Sequence, residues 1–329
     1  MSKERGRILV TGGAGYIGSV IAARLVESGH RVTVLDDLST GFREAVPSGA
    51  EFVQGRVQDA AEVLDSSYAV VMHFAAVAEV GESMVDPEKY WDTNVLGSFA
   101  LLRAMRGAGV PRLVFSSTCA VYGEPAAGVI STSTPTAPVN PYGASKLAVD
   151  HMIAGESAAH GLAAVSLRYF NVAGAVASHG ERHDPESHLI PLVLQVAQGR
   201  REAISIYGDD YATPDGTCVR DYIHVSDLAD AHLLALDAAA PGEHLVCNLG
   251  NGNGFSVREV IAVARKVTGH PIPEVVAPRR PGDPATLVAS SARARERLGW
   301  TPRRSDLSEM IQDAWDFARA TAATEPTGA

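Results

Sequence analysis

The segment Arg7-Ile-Leu-Val-Thr11, followed by Gly12-Gly13-Ala14-Gly15-Tyr16-Ile17-Gly18, constrains this chain more than any other. Its largely aliphatic start reads as a strand. The glycines then turn the chain into an amphipathic run from Tyr16 to Ser28, which Gly29-His30 ends. Arg31-Val-Thr-Val-Leu-Asp36 is strand-like again. A strand, a helix and a second strand in this order form a βαβ unit, which requires a parallel sheet with a right-handed crossover.

The alternation continues through short strands at Phe52-Val53, Tyr68–His73, Arg112–Phe115 and Ala163–Arg168. Helical runs lie at about 87–108 and at Tyr142–Ala159, with a Ser-, Thr- and Pro-rich loop from Gly123 to Pro138. The fold class expected is α/β, a doubly wound parallel sheet, followed by a smaller α/β domain. The first domain is expected over residues 1–172, with part of 219–240 returning to it, and the second over 173–320. After Val172 the alternation breaks, and Ser178–Ser187 reads as a polar loop. Helices are expected at Leu189–Gln198 and Ser226–Ala239, from the Ser256/Glu259 capping box to Thr268, and over about 306–320. Residues 321–329 are expected to be a disordered tail.

Charge narrows the partners. Twenty-eight basic against 38 acidic residues give a net charge of −10, which disfavours nucleic acid and anionic membrane surfaces. No apolar run approaches the roughly 20 residues of a spanning helix. Met1–Arg7 is polar and has no apolar signal core, so no export is expected. Three widely spaced cysteines, Cys119, Cys218 and Cys247, suit a reducing compartment, and a cytoplasmic location is expected.

The glycine pattern carries chemistry as well as topology. Gly12, Gly15 and Gly18 leave room for a pyrophosphate at a helix N-terminus, whose free N–H groups and dipole favour an anion. Asp36 closes the second strand 18 residues after Gly18. A carboxylate there suits a ribose diol and repels a 2′-phosphate, favouring NAD over NADP. Asp37 is as well suited to capping a loop as to the cofactor. Tyr142 and Lys146 are four apart on one helix face. An ammonium there is expected to lower the phenol pKa and make a general base for an alcohol proton. Thr118 follows Phe115-Ser116-Ser117 at a strand's C-terminal end, where such sheets bind ligands.

With these features in order, the sequence resembles the extended short-chain dehydrogenase/reductases, and within them the UDP-glucose 4-epimerases. Thr11–Ser19, His73-Phe-Ala75, Gly81-Glu-Ser83, Tyr142–Lys146 and Leu167–Asn171 match family blocks. So do Gly208–Tyr211, Asp215–Val225, Arg280–Asp283 and Leu298–Trp300. The resemblance implies bound NAD and interconversion of UDP-galactose and UDP-glucose. Hydride leaves C4′, the 4-keto sugar rotates, and hydride returns to its other face. It implies that Tyr142 takes the 4′-hydroxyl proton, with Lys146 and Thr118 assisting. It implies a cofactor site of Gly12, Gly15, Tyr16, Ile17, Gly18, Asp36, Asp37, Phe74, Ala75, Asn94, Ser116, Tyr142, Lys146 and Tyr169. Substrate contacts fall on Thr118, Tyr142, Asn171, His188, Leu189, Arg220, Tyr222, Arg280, Asp283 and Leu287. Two Arg side chains suit a diphosphate. The family also implies a homodimer built on residues 87–108 and 142–159.

Departures from the pattern matter. Arg56 stands where many members carry an Asp that meets adenine; it cannot accept that hydrogen bond but can stack on the ring. Ala78 replaces a common Lys, and Ser187-His188-Leu189 a common Asn-Asn-Leu. Leu287, intermediate in size, stands where the resemblance sets acceptance of N-acetylated sugars. Alternatives are a 4-epimerase of another UDP-sugar, a nucleotide-sugar 4,6-dehydratase, and a non-catalytic NAD and sugar-nucleotide sensor. The dehydratase needs an acidic pair directly after the hydroxyl, and Thr118 is followed by Cys119-Ala120. The sensor would tolerate loss of Tyr142 or Lys146, and both are present. His179, His183 and His188 with Asp184 and Glu186 have irregular spacings in a polar loop, and no metal is expected. Asn248–Gly254 reads as a strand–helix turn rather than a second phosphate loop.

Overall fold

Alternation along Arg7–Thr11 divides the strand between two layers: Ile8 and Val10 enter one apolar cluster and Leu9 the other. The structure is a computed structural model that describes residues 6–125, 128–280 and 282–324. Its strands β1 to β7 are Arg7–Thr11, Val32–Asp36, Glu51–Gln54, Tyr68–His73, Arg112–Thr118, Val129–Ile130 and Ala163–Tyr169. Strands β8 to β14 are Asn171–Ala173, Ile204–Tyr207, Val219–His224, His244–Leu249, Gly254–Ser256, Glu274–Ala277 and Thr286–Ala289.

Seven strands pair in the order β11-β7-β5-β4-β1-β2-β3, and every pairing is parallel. Helices Tyr16–Glu27 and Val225–Ala235 pack on one face through Val20, Ile21, Leu25, Leu228 and Ala231. Helices Gly97–Ala108 and Pro141–His160 cover the other through Leu101, Met105, Val149 and Ile153. Burial on both faces is what a parallel sheet requires. The winding reverses at β1, between β4 and β2, which opens a crevice at the C-terminal strand ends.

The returning segment reaches beyond the expected 219–240. β11 forms the sheet edge, and Ala294, Leu298 and Trp300 join the first cluster. A separate core unites Leu189–Ala197, Val257–Thr268 and Leu307–Thr324 through Val193, Ile261, Met310 and Ile311. A second sheet, β12-β10-β14-β6 with β8 on β10, runs beside it.

Several element boundaries need correction. The single helix expected over 87–108 is Pro87–Tyr90, a π turn at Trp91–Leu96, and Gly97–Ala108. The helix expected over Ser226–Ala239 is Val225–Ala235, after which Leu236 and Ala238 make tight bonds to Leu233 and Ala235. The last helix continues to Thr324, so 321–324 are not a tail; Ala-rich sequence favours the extension. Residues 325–329 of the expected tail lie outside the described residues. The strands β6, β8, β9, β10, β12, β13 and β14 carry no periodic signal of their own length, and only pairing defines them.

Candidate active site

The glycine-rich turn is shaped by contacts that only glycine permits. Gly12 has φ +71°, and an added Cβ would lie 2.4 Å from the Ala75 nitrogen. At Gly18 a Cβ would meet the Gly12 carbonyl at 2.1 Å. Gly15 differs: its nearest neighbour would be at an ordinary 3.5 Å, so the space beside it faces out of the fold. Close approach of a ligand is the physical reason for glycine there. Ile17 packs against the first core, and Tyr16 donates a 2.6 Å hydrogen bond to the Gly174 carbonyl, tying the 174–188 segment to the turn. A groove lies between Ala14, Gly15 and Tyr16 on one side and Gly180, Arg182 and His183 on the other.

Asp36 sits at the crevice as expected. Its two oxygens accept from the Ala14 and Leu38 N–H groups, each at 2.9 Å, and burial raises its pKa against those bonds. A carboxylate has further acceptor capacity, so the diol reading remains open to it. Asp37 accepts from the Ser39 N–H at 2.9 Å, the loop-capping arrangement. Arg56 donates to Asp92 at 2.9 Å, and both side chains are half exposed.

Phe74 and Ala75 both donate backbone bonds to the Thr11 carbonyl, holding the β4 end against the glycine turn. Beneath them lies His73, which sequence reasoning left without a role. It bridges Thr11 Oγ1 at 2.7 Å and Ser98 Oγ at 2.8 Å. Burial, reinforced by Lys146, pushes its pKa down to about 3. Asn94 is 1% exposed, and its amide is taken up by Val77 N–H and carbonyl and by Ser145 Oγ. The side chain expected at the cofactor joins the β4 loop to the Pro141–His160 helix.

Thr118, Tyr142 and Lys146 are brought together by β5 and that helix. Thr118 caps the following turn at Ala120 N–H, and its hydrogen bond to Tyr142 lowers the phenol pKa. Lys146 Nζ donates to the Ser116 carbonyl at 3.0 Å and lies 5.0 Å from the Phe115 ring centre. Ser116 Oγ pairs with the Tyr169 hydroxyl. Lys146 is expected to lower the Tyr142 pKa, but a different balance of burial and neighbours sets it. Burial dominates and pushes Tyr142 up to about 12, while burial pulls Lys146 down to about 8. Sequence reasoning also missed Glu79, whose charge raises the Tyr142 pKa and whose carboxylate accepts from Ser187 Oγ. A single Glu in a loop gives no sequence signal.

The expected substrate residues are less uniform. Arg220 donates to Asp283 at 2.8 Å and to the Pro284 carbonyl at 2.8 Å, so these two residues form an ion pair. Leu287 is beside Arg220 in the β10–β14 register. Asn171 is beside Tyr222 on β8 and β10, but Tyr222 is buried in the separate core that unites Leu189–Ala197, Val257–Thr268 and Leu307–Thr324. Arg280 is exposed, with its guanidinium 3.8 Å from the Tyr207 ring centre. His188 stands at the N-terminal boundary of the helix that Leu189 begins, with its imidazole bonded to Glu186 rather than capping that helix.

Two readings of loops are settled by packing. Asn248–Gly254 folds around the chain's own Asp221, which accepts from Asn251 N–H at 2.7 Å and Gly252 N–H at 3.0 Å. An internal carboxylate therefore fills the place of a phosphate. The 178–187 loop, read from sequence as polar with irregularly spaced histidines, packs several of its side chains together. Glu181, His183, Glu186 and His188 converge there, while His179 and Asp184 stand outside the group.

The family model for the NAD dependent epimerase/dehydratase family matches residues 8–250. The chain belongs to this family. It is 66% identical to a UDP-glucose 4-epimerase of Streptomyces lividans over 319 residues, 95% of this chain and 96% of that protein. The solved UDP-glucose 4-epimerase from Brucella ovis, in complex with NAD, superposes with a TM-score of 0.90 at 44% identity, covering 95% of this chain and 98% of that one. The Stenotrophomonas maltophila UDP-glucose-4-epimerase, with bound NAD and formylated UDP-arabinopyranose, gives 0.92 at 40% identity, covering 97% and 99%. As an epimerase/dehydratase family member, the chain shares the NAD dependence in the family's description.

Proposed function

We propose that this chain interconverts UDP-glucose and UDP-galactose by transient oxidation at C4′ of the sugar. The observation that carries the reading is the meeting of Tyr142, Thr118 and Lys146 at the C-terminal end of β5, beside a glycine turn open at Gly15. Relatives of high identity named UDP-glucose 4-epimerase support the same reaction.

NAD fits the residues present. Gly15 leaves open space at a helix N-terminus, and Asp36 keeps acceptor capacity beside it. Gly12, Gly15 and Ile17 would hold the pyrophosphate, Asp36 the ribose, and Lys146 with Tyr169 the nicotinamide end. Bound NAD supplies the hydride acceptor at C4′ and a positive charge beside the phenol. Tyr142 accepts the 4′-hydroxyl proton and later returns it, and Thr118 donates the hydrogen bond that favours its phenolate. Arg220 and Arg280 offer guanidinium donors to the UDP diphosphate, with Asp283 orienting Arg220. We assign residues 1–172 with the returning segment to the cofactor and 173–320 to the UDP-sugar. A homodimer and a cytoplasmic location complete the proposal; the three cysteines are free.

The test is conversion of UDP-galactose to UDP-glucose by purified protein with no added NAD. Conversion is expected, and Tyr142→Phe should cut turnover by about 10²–10⁴-fold while UDP binding persists. Near-normal turnover in that variant would remove Tyr142 from its role. Inactivity of the wild-type chain even with NAD added would overturn the assigned reaction.

A further inference from the structure

We propose that Glu181, His183, Glu186 and His188 form a binding site for a divalent transition ion of the zinc class. One ligand atom from each, two imidazole nitrogens and two carboxylate oxygens, lies within 4.8 Å of all the others. A tetrahedral zinc with bonds of roughly 2.0–2.1 Å needs donors about 3.4 Å apart. The His183–Glu181 and His188–Glu186 pairs, now in hydrogen-bond contact, would open while the wider pairs close, and rotation of the imidazoles allows both, since the His183 and His188 side chains are 29% and 40% exposed.

The carboxylates are not free to turn away. The Glu186 side chain is 4% exposed and the Glu181 side chain 12%. Glu186 Oε1 also accepts from the Ser187 and His188 N–H groups at 2.8 and 2.7 Å, which orients it as an outer hydrogen-bonding layer orients a metal ligand. Buried carboxylates need a counter-charge. In this structure the His183–Glu181 and His188–Glu186 hydrogen bonds answer part of that need. Glu79, bonded through Ser187, adds a third carboxylate whose field favours a cation. The neighbouring cation, Arg182, is directed elsewhere: it pairs with Glu44 and stacks 4.6 Å from the Phe42 ring centre.

The backbone carrying the donors is anchored. Val176 and His179 exchange two backbone bonds of 2.9 Å, and Gly180 is pressed so closely on Phe317 that a Cβ would lie 2.4 Å from its ring. A divalent ion would replace the protons shared between each imidazole and its carboxylate and release them to solvent. Imidazole with carboxylate suits zinc and its neighbours in the first transition row rather than magnesium or calcium.

The test is equilibrium dialysis of the untagged, full-length, chelator-stripped protein against zinc chloride near neutral pH, with the metal content measured. Wild type should take up about one zinc per chain. Glu181→Gln and His183→Asn should each weaken binding by about tenfold or more, while His151→Asn, outside the cluster, should not. Circular dichroism of the two variants checks that they fold. No uptake by wild type at micromolar zinc, or equal uptake by folded Glu181→Gln and His183→Asn, would overturn the site. The readout needs no catalytic activity, so it is independent of the reaction assigned above.

Discussion

Lys146 illustrates what burial does to a charged side chain. The residue is 3% exposed, and burial, opposed by the charge of Asp150, lowers its pKa from 10.5 to about 8. The unfolded chain therefore holds a proton that the native chain sheds between those values. Stability carried by this group is complete above pH 10.5 and is lost as pH falls toward 8. The shift corresponds to about 3 kcal/mol. In cofactor-free protein, the stability of wild type relative to Lys146→Met should rise from pH 7.5 to 10 by up to about that amount. Urea titrations across that range would measure it, and a flat difference would show that the amine is hydrated in the native state. Tyr142, on the same helix, is likewise governed by burial, which raises its pKa. Spacing places both side chains on one helix face, but it gives no account of the burial that shifts both.

Among elements, the 87–108 segment is the most informative. A π turn at Trp91–Leu96 brings Asn94 inward, where its amide joins Val77 and Ser145. Such insertions reset the helix phase and are frequent near functional sites. Asn94→Ala would leave buried donors and acceptors without partners and should cost about 2–4 kcal/mol. Chemical denaturation of cofactor-free protein measures this. Unchanged stability together with faster loss of NAD would return Asn94 to the direct cofactor role implied by the resemblance. The 174–188 segment makes a related point. Its charges read as a solvated loop, yet Tyr16, Phe42 and Phe317 hold it in place from distant parts of the chain.

For the whole molecule, six of the twelve exposed large apolar residues among the described ones fall in one stretch of the chain. Val80, Met84, Val85, Trp91, Leu96 and Phe99 are all between 41% and 86% exposed, the last three within the 87–108 segment expected to form a dimer and the others just before it. Large apolar patches of this kind mark interaction surfaces. Light scattering at micromolar concentration should give the mass of two chains, and Leu96→Asp with Phe99→Glu should halve it. A monomeric wild type would refute the dimer. Among the described residues, no helix is long and apolar enough to cross a membrane.

The sequence by itself determined the parallel sheet, the glycine turn, Asp36 at the crevice, and Tyr142 with Lys146 on one helix face. These depend on local spacing, strand-to-helix turns and capping, which act over a few residues. Tertiary structure decided what depends on distant partners. It committed the Asn94 amide to a scaffold, drew the Asn248–Gly254 turn around Asp221, paired Arg220 with Asp283, and raised Tyr142 rather than lowering it. It also brought two histidines and two glutamates together in a loop whose spacing gave no sign of it. Burial and long-range hydrogen bonding set these outcomes, because a buried polar group must take whatever partner the fold brings within reach.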